Sequence, residues 1–390
     1  MSTQAAIVGV GWAGFRPVTP EASYKELMYE AAEAAYADAG FDPRTDVDSF
    51  VTVAEDFHEG TSIFDEYVPD QLGAAGRPVH TITGDGLHGL AAAVMQILTG
   101  RFRIVVVEGH SKASNILTLP EITAYAMDPV LNRPLGAHPL ALAGLEASRY
   151  LHETGTSRAH CAAVAAKNRR NALRHPSAAY GADVSAEQVL AAETVASPLG
   201  RLEISEPADG AIVMVLAAAE AARTLSAHPI WVRGVGWATD SPTLESRQWA
   251  RALYAERAAA MAYRMAGIAA PADAIQFAEV DDTYAYKELQ HLEALGLCQA
   301  AQAGPMTADG ATQPGGRLPV NVSGGSLGGG HLLEAAGLAR ALEVVLQLRG
   351  QAGARQLHHI TTGLAQSWRG VPTASGAVAV LSASPDGRTT

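Results

Sequence analysis

Residues 319–337 read PVNVSGGSLGGGHLLEAAG: a short apolar run gives way to glycines at 324, 325, 328, 329 and 330 around Ser323 and Ser326, then to His331. Without β-carbons such a turn can take positive φ values and approach another backbone or a ligand closely. The apolar stretch HLLEAAGLARALEVVLQL follows, so His331 is expected where the glycine loop ends and a helix begins. An imidazole there faces a buried pocket with glycine amides beside it as donors. A glycine run alone favours a plainer reading, a tight strand-to-helix connection with an incidental histidine. The run has neither the GxxxxGK[ST] nor the spaced GxGxxG pattern of a phosphate loop.

Outward from this stretch the chain alternates strands and helices. AAIVGVGWAGF (5–15) predicts a buried strand, YKELMYEAAEAAYADAG (24–40) an amphipathic helix ended by Gly40, and VDSFVTVA (47–54) a second strand. The acidic loop EDFHEGTSIFDEYVPDQLG then carries His58. Strands at 77–83 and 102–114 flank the helix TGDGLHGLAAAVMQILTG. The Gly-Val-Gly of the first strand is a weak dinucleotide signal, since no helix starts directly after it. Strands alternating with helices imply parallel βαβ units in layers.

From residue 229 the pattern repeats. WVRGVGWATD answers AAIVGVGWAGF, the helix at 251–268 answers 24–40, IQFAEVDDTY (275–284) answers VDSFVTVAEDF, and the glycine loop with its helix answers TGDGLHGLAAAVMQILTG. The expected organisation is an amino-terminal half (1–110 and 206–228), an inserted loop lobe (111–205), a carboxy-terminal half (229–383) and a flexible tail (384–390). The lobe holds the densest positive charge, Lys167, Arg169, Arg170 and Arg174, either a solvated face or a surface for an anionic substrate.

Composition narrows the function. The 390 residues are 48% hydrophobic and 17% charged, ample for a large core. A net charge of −12 argues against nucleic acid or an anionic membrane as partner. Cys161 and Cys298 give neither a metal spacing nor a disulfide framework, and both read as buried thiols. With no basic leader and no apolar run of about 18 residues, a cytoplasmic protein without a membrane span is expected.

The duplicated α/β chain ending in NVSGGSLGGGHLLEAAG resembles the thiolase superfamily, whose carboxy-terminal half carries N-x-x-G-G-x-x-x-x-G-H-P-x-G-A-x-G. Asn321, Gly324, Gly325, Gly330, His331, Ala335 and Gly337 match, while Leu332 and Glu334 replace the proline and the second-to-last glycine. The lobe and following strand, with LEALGLC (292–298), are similar to the sterol-carrier-protein-type and archaeal-type branch. The resemblance implies an α/β thiolase fold: two duplicated β-α-β-α-β halves layered α-β-α-β-α, with the lobe inserted.

It also implies a site. Ungapped alignment puts Thr83 where family thiolases carry the nucleophilic cysteine. A threonine hydroxyl has a far higher pKa than a thiol and needs a dedicated base, and the other reading of Thr83 is a helix N-cap. In place of the second cysteine's H-D-C-F-like stretch stand Asp281, Asp282, Thr283 and Tyr284, and the C-x-G-G alternative is replaced by GLAQSWRGVP. His331, Asp281, Thr83 and Tyr284 are thus the candidate catalytic residues; Gly324, Gly325, Ser326, Gly330, His88 and His58 are candidates for substrate binding. No metal and no covalently bound cofactor is implied, and coenzyme A enters as the substrate's carrier.

Three functions fit: carbon–carbon bond cleavage or formation on an acyl-CoA without a covalent acyl-cysteine, as in the thiolase-like aldolases; thiolase acyltransfer proper; and a non-catalytic acyl-CoA-binding or scaffolding subunit. The resemblance further implies a homodimer paired through the strand at about 103–108 and a small OB-fold, zinc-ribbon partner.

Overall fold

The computed structural model describes residues 4–60, 62–241 and 243–387; part of the tail expected at 384–390 lies outside them. The amino-terminal half holds β1 (Ala5–Arg16), α1 (Tyr24–Ala39), β2 (Ser49–Val53), β3 (Val79–Ile82), α2 (Gly86–Leu98) and β4 (Ile104–Lys112). The lobe contributes α3 (Pro139–Thr154) and α4 (Arg158–Ala172), and β5 (Asp209–Ala218) completes that half. The second half holds β6 (Ile230–Thr239), α5 (Leu253–Ala266), β7 (Phe277–Glu279), α6 (Ala285–Ala294), α7 (Ala336–Arg349), β8 (Thr362–Trp368) and β9 (Ser375–Ser382).

Strand order carries the duplication. One nine-stranded sheet runs β3-β2-β4-β5-β1-β6-β9-β8-β7, and Val320 bridges Ala278 beyond β7. Each half therefore repeats one order, with β1 and β6 as equivalents joined antiparallel through Ala5–Ile7 and Ile230–Val232. The sheet is mixed where sequence alternation implied parallel units: β2 pairs β3 and β4 in parallel, yet β1 and β4 both run antiparallel to β5.

The repeated Gly-x-Gly explains the glycine- and alanine-rich composition. A β-carbon on Gly9 or Gly11 would lie 2.5 or 2.2 Å from the Ala35 or Ala31 carbonyl of α1, and one on Gly234 or Gly236 would lie 2.1 or 2.0 Å from the Ala262 or Ala258 carbonyl of α5. Each outer helix thus sits on its strand at backbone contact, the structural role expected for these glycines. Between the two sheet halves α2 and α7 form the central layer, sharing a core of Leu87, Leu90, Val94, Leu338, Ala341 and Val345.

Two expectations are corrected. β4 is paired on both sides, so it has no edge for a dimer partner, and the open edge of this half is β3. Among the lobe's basic residues Lys167 is buried, with its ammonium 3.1 Å from Glu288 and 2.8 Å from the Val320 carbonyl, and Arg169 is buried as well. Lys167 ties the lobe to the core, whereas the Arg169 guanidinium donates within the lobe, to the Leu202 and Ile204 carbonyls at 3.4 Å.

Candidate active site

The glycine loop spends its amides on the protein itself. Gly324, Gly325 and Gly330 have φ of +102°, +57° and +99°, and β-carbons there would meet Ala172, the Asp282 carboxylate and Ala208 within 2.6 Å. Ser326 and Leu327 N–H donate to the two Asp282 oxygens at 2.6 and 3.2 Å, Gly330 N–H donates to the Ser326 carbonyl, and the Ser326 hydroxyl accepts from Arg340 at 2.9 Å. The loop's task is to seat His331 against the chain, in place of the expected donation of amides to a ligand. His331 is locked from both sides: its N–H donates to the Glu206 carbonyl at 2.8 Å, and its carbonyl accepts from Ala208 at 2.9 Å.

The His331 ring has a defined proton. Leu333 N–H donates to Nδ1 at 2.9 Å, and burial, reinforced by Arg340 and opposed by Asp281, lowers the pKa below the usual histidine value. A neutral imidazole with Nδ1 accepting carries its hydrogen on Nε2. His331 therefore presents Nε2–H, the tautomer that suits a hydrogen-bond donor.

His331 lines a small cavity of about 50 Å³, with His58, Glu334, Asp85, Gly84, Trp368 and Arg369 in its wall. Room for one or two waters is room for the reacting atoms only. The helix at Leu119–Thr123 and the turn after it close the cavity through Thr123 and Ala126. Across the glycine loop lies a larger pocket of about 330 Å³ lined by Gly330, Leu332, Trp12, Phe15, His175 and Arg340.

Asp85 is the residue the sequence reading missed. It is the N-cap of α2, its carboxylate accepting Leu87 N–H at 3.0 Å, and its second oxygen accepts Gly337 N–H, at the start of α7, at 2.8 Å. Burial raises its pKa to about 6, against the pull of Arg340. The helix-start signals of an Asp-Gly pair ahead of an apolar run could have found it. Thr83, expected as the N-cap, is exposed and stands outside the helix; Gly84, at φ +139°, turns the chain so that Asp85 takes that place. The central helix starts therefore meet through Asp85 and Gly337.

The remaining candidates separate. Asp281 is buried beside Arg340, 2.8 Å away; burial pushes its pKa up, but Arg340, His291 and His331 outweigh it and hold it ionised. Tyr284 stacks on Tyr286 at 5.9 Å and packs edge-on to Trp368 at 6.2 Å, one ring back from the cavity, and burial pushes its phenol pKa up. His88 accepts from Asp85 N–H at 3.3 Å inside the α2 cap; burial and Arg369 lower its pKa to about 4. His58 does reach the cavity, on the short helix Asp56–Glu59, and its Nδ1 is paired with Glu334. Beside it Arg369 is paired with Glu55. Cys161 lies in the lobe core, and burial pushes the Cys298 thiol up to about 12. Among the described residues no group of three or more His, Cys, Asp or Glu is placed to hold a metal ion, and no helix is long and apolar enough to cross a membrane.

Comparison with known proteins adds independent findings. Residues 236–383 match the family described as thiolase C-terminal domain-like. The chain is 31% identical to an acetyl-CoA acetyltransferase of Methanothermobacter thermautotrophicus over 92% of its own length and 94% of the other's. It is 29% identical to the 17-hydroxy-3-oxo-4-pregnene-20-carboxyl-CoA lyase of Mycobacterium tuberculosis, over 96% of this chain and 98% of that one. The solved Ltp2-ChsH2(DUF35) aldolase superimposes with a TM-score of 0.84 at 27% identity, over 97% of this chain and 98% of its own.

Proposed function

The chain belongs to the thiolase superfamily, and on that premise we propose that it cleaves or forms a carbon–carbon bond in an acyl-CoA thioester without a covalent acyl-cysteine intermediate. One observation carries the reading: the position aligned with the family cysteine is an exposed threonine outside the cavity, while His331 keeps a neutral, oriented Nε2–H in the cavity wall. A retro-aldol cleavage of a 3-hydroxyacyl-CoA needs a base for the hydroxyl and a donor for the enolate oxygen, and no thiolate. His331 supplies the donor. Similarity to a carboxyl-CoA lyase and to an aldolase supports this class over acyltransfer.

Acyltransfer has its own support in the 31% identity to an acetyltransferase, but the family's acyltransfer uses a cysteine thiolate, and neither Cys161 nor Cys298 lines the cavity. Coenzyme A is the substrate's carrier in either case. Two copies would pair through β3, whose outer edge is open and flanked by a groove of Val79, Ile82, Ala92, Met95 and Phe102. The small OB-fold, zinc-ribbon partner expected from sequence would complete acyl-CoA binding, a pairing in keeping with ChsH2(DUF35) being named with Ltp2 in the similar aldolase, and the assembly would work in the cytoplasm.

The test is turnover of 3-hydroxyacyl-CoA, with and without a co-purified partner, followed by release of the carbonyl product. Cleavage supports the reading. No turnover, together with measurable binding of coenzyme A, overturns it in favour of a non-catalytic acyl-CoA-binding subunit.

A further inference from the structure

The second departure from the family motif, Glu334 in place of a glycine, has a partner 276 residues away in the chain. His58 Nδ1 is paired with the Glu334 carboxylate, and His58 Nε2 is buried with no hydrogen-bond partner. Both side chains line the cavity that His331 also lines. A carboxylate on Nδ1 fixes the imidazole with its hydrogen on that nitrogen and leaves the Nε2 lone pair free. Glu334 is itself buried and His58 nearly so, which keeps the pair in a medium of low polarity. His58 thus presents a lone pair, and His331 an N–H, in the wall of one cavity.

We propose that His58 is the catalytic base of this site and Glu334 its positioning residue. The inference rests on the carbon–carbon reading above and supplies the group that reading lacks. In the cleavage direction, the 3-hydroxyl proton passes to His58 Nε2 and the O–H electrons form the carbonyl of the departing product. The Cα–Cβ bond breaks, and its electron pair enters the thioester as an enolate whose oxygen accepts the His331 Nε2–H. The His58 imidazolium then returns its proton to the α-carbon. One 3-hydroxyacyl thioester gives one carbonyl compound and one shortened acyl thioester, with no oxidant or further reactant.

The charges around the pair strengthen His58 as a base. Burial alone pushes the His58 pKa down, but Glu334, Glu55 and Glu59 outweigh it and hold it above the usual histidine value. Glu55 is in turn paired with Arg369, and Asp85 and the neutral His331 complete the surroundings. His58 is therefore expected to lose activity on the acid side, where its lone pair is occupied.

Two readouts test this. One is cleavage of 3-hydroxyacyl-CoA. The other is exchange of the α-protons of a saturated acyl-CoA in D2O, which needs the base and the donor but no β-hydroxyl. His58→Ala is expected to lower both by about 100-fold or more, to leave acyl-CoA affinity within a few-fold, and to regain exchange with added imidazole. If it does not fold, His58→Gln takes its place. Glu334→Gln is expected to lower kcat with little change in KM and to move the acid limb of the pH–rate profile to lower pH. Exchange or cleavage in the His58 variants equal to wild type, or an unmoved acid limb in Glu334→Gln, overturns the assignment while leaving the reading of the function intact. Exchange without cleavage in the wild type supports the base and sinks the retro-aldol reading. Wild-type protein with neither activity overturns both.

Discussion

The Asp85 carboxylate accepts the Gly337 backbone N–H at 2.8 Å, so one buried side chain closes the N-termini of both central helices, one from each half of the duplicated fold. Gly337 is glycine because a β-carbon there would stand 1.8 Å from Asp85 Oδ1. Asp85→Ala removes a cap and leaves buried N–H groups unmet, at a cost of about 2–4 kcal/mol. Gly337→Ala displaces the same carboxylate. Denaturant unfolding of the two single variants and the double is therefore expected to show strong non-additivity, the double costing less than the sum.

Asp85 also gives stability a pH dependence with a definite sign. Its pKa of about 6 in the folded protein lies above the unfolded value of about 3.9. The native state then holds a proton that the unfolded state releases, so this residue's contribution is fully present below about pH 4 and is lost as pH rises through about 6. Asp85→Asn abolishes the titration. The stability of wild type relative to Asp85→Asn is expected to fall between pH 4 and 6 and to level off above, read from urea midpoints at fixed ionic strength.

How far the sequence disclosed this structure depends on whether the information was local. The Gly-x-Gly repeats of β1 and β6 were legible because backbone contact with a helix demands glycine at fixed spacing. The loop before His331 was legible for a related reason, three of its glycines holding positive φ. Thr83 was misplaced because an ungapped alignment counts residues but cannot see that Gly84 turns the chain. Glu334 appeared only as a mismatch, since its partner His58 lies 276 residues away. The interior position of β4 was equally hidden, because strand order is decided by long-range pairing.

Lys167 illustrates the same limit and yields a stability expectation. Its ammonium holds the buried Glu288 carboxylate and the Val320 carbonyl, joining the lobe to the strand edge beyond β7. Lys167→Met leaves Glu288 unpaired in the interior and is expected to destabilise by about 3–5 kcal/mol. Lys167→Met with Glu288→Gln is expected to regain part of that loss in thermal unfolding.

The open edge at β3 makes the dimer proposal concrete. Met95 is exposed in the groove beside that edge, so Met95→Glu alters no monomer core. Sedimentation velocity is expected to give a dimer for wild type and a monomer for Met95→Glu at micromolar concentration, with the variant's circular dichroism unchanged. A wild-type monomer across that range counts against pairing through this edge.

His331 carries the oxyanion in this account, so its removal should act on the transition state. His331→Ala is expected to lower kcat for 3-hydroxyacyl-CoA cleavage by about 10²–10³-fold, the usual loss for one oxyanion donor, with KM little changed. A rise in KM at constant kcat would assign His331 to binding alone.

The most direct test of carbon–carbon chemistry without an acyl-enzyme is intact mass spectrometry of the protein, quenched during turnover of 3-hydroxyacyl-CoA. The account predicts a carbonyl product and a shortened acyl-CoA while the protein mass stays that of the free chain throughout. A mass gain equal to the acyl group, absent from Thr83→Ala, would contradict it and restore thiolase acyltransfer.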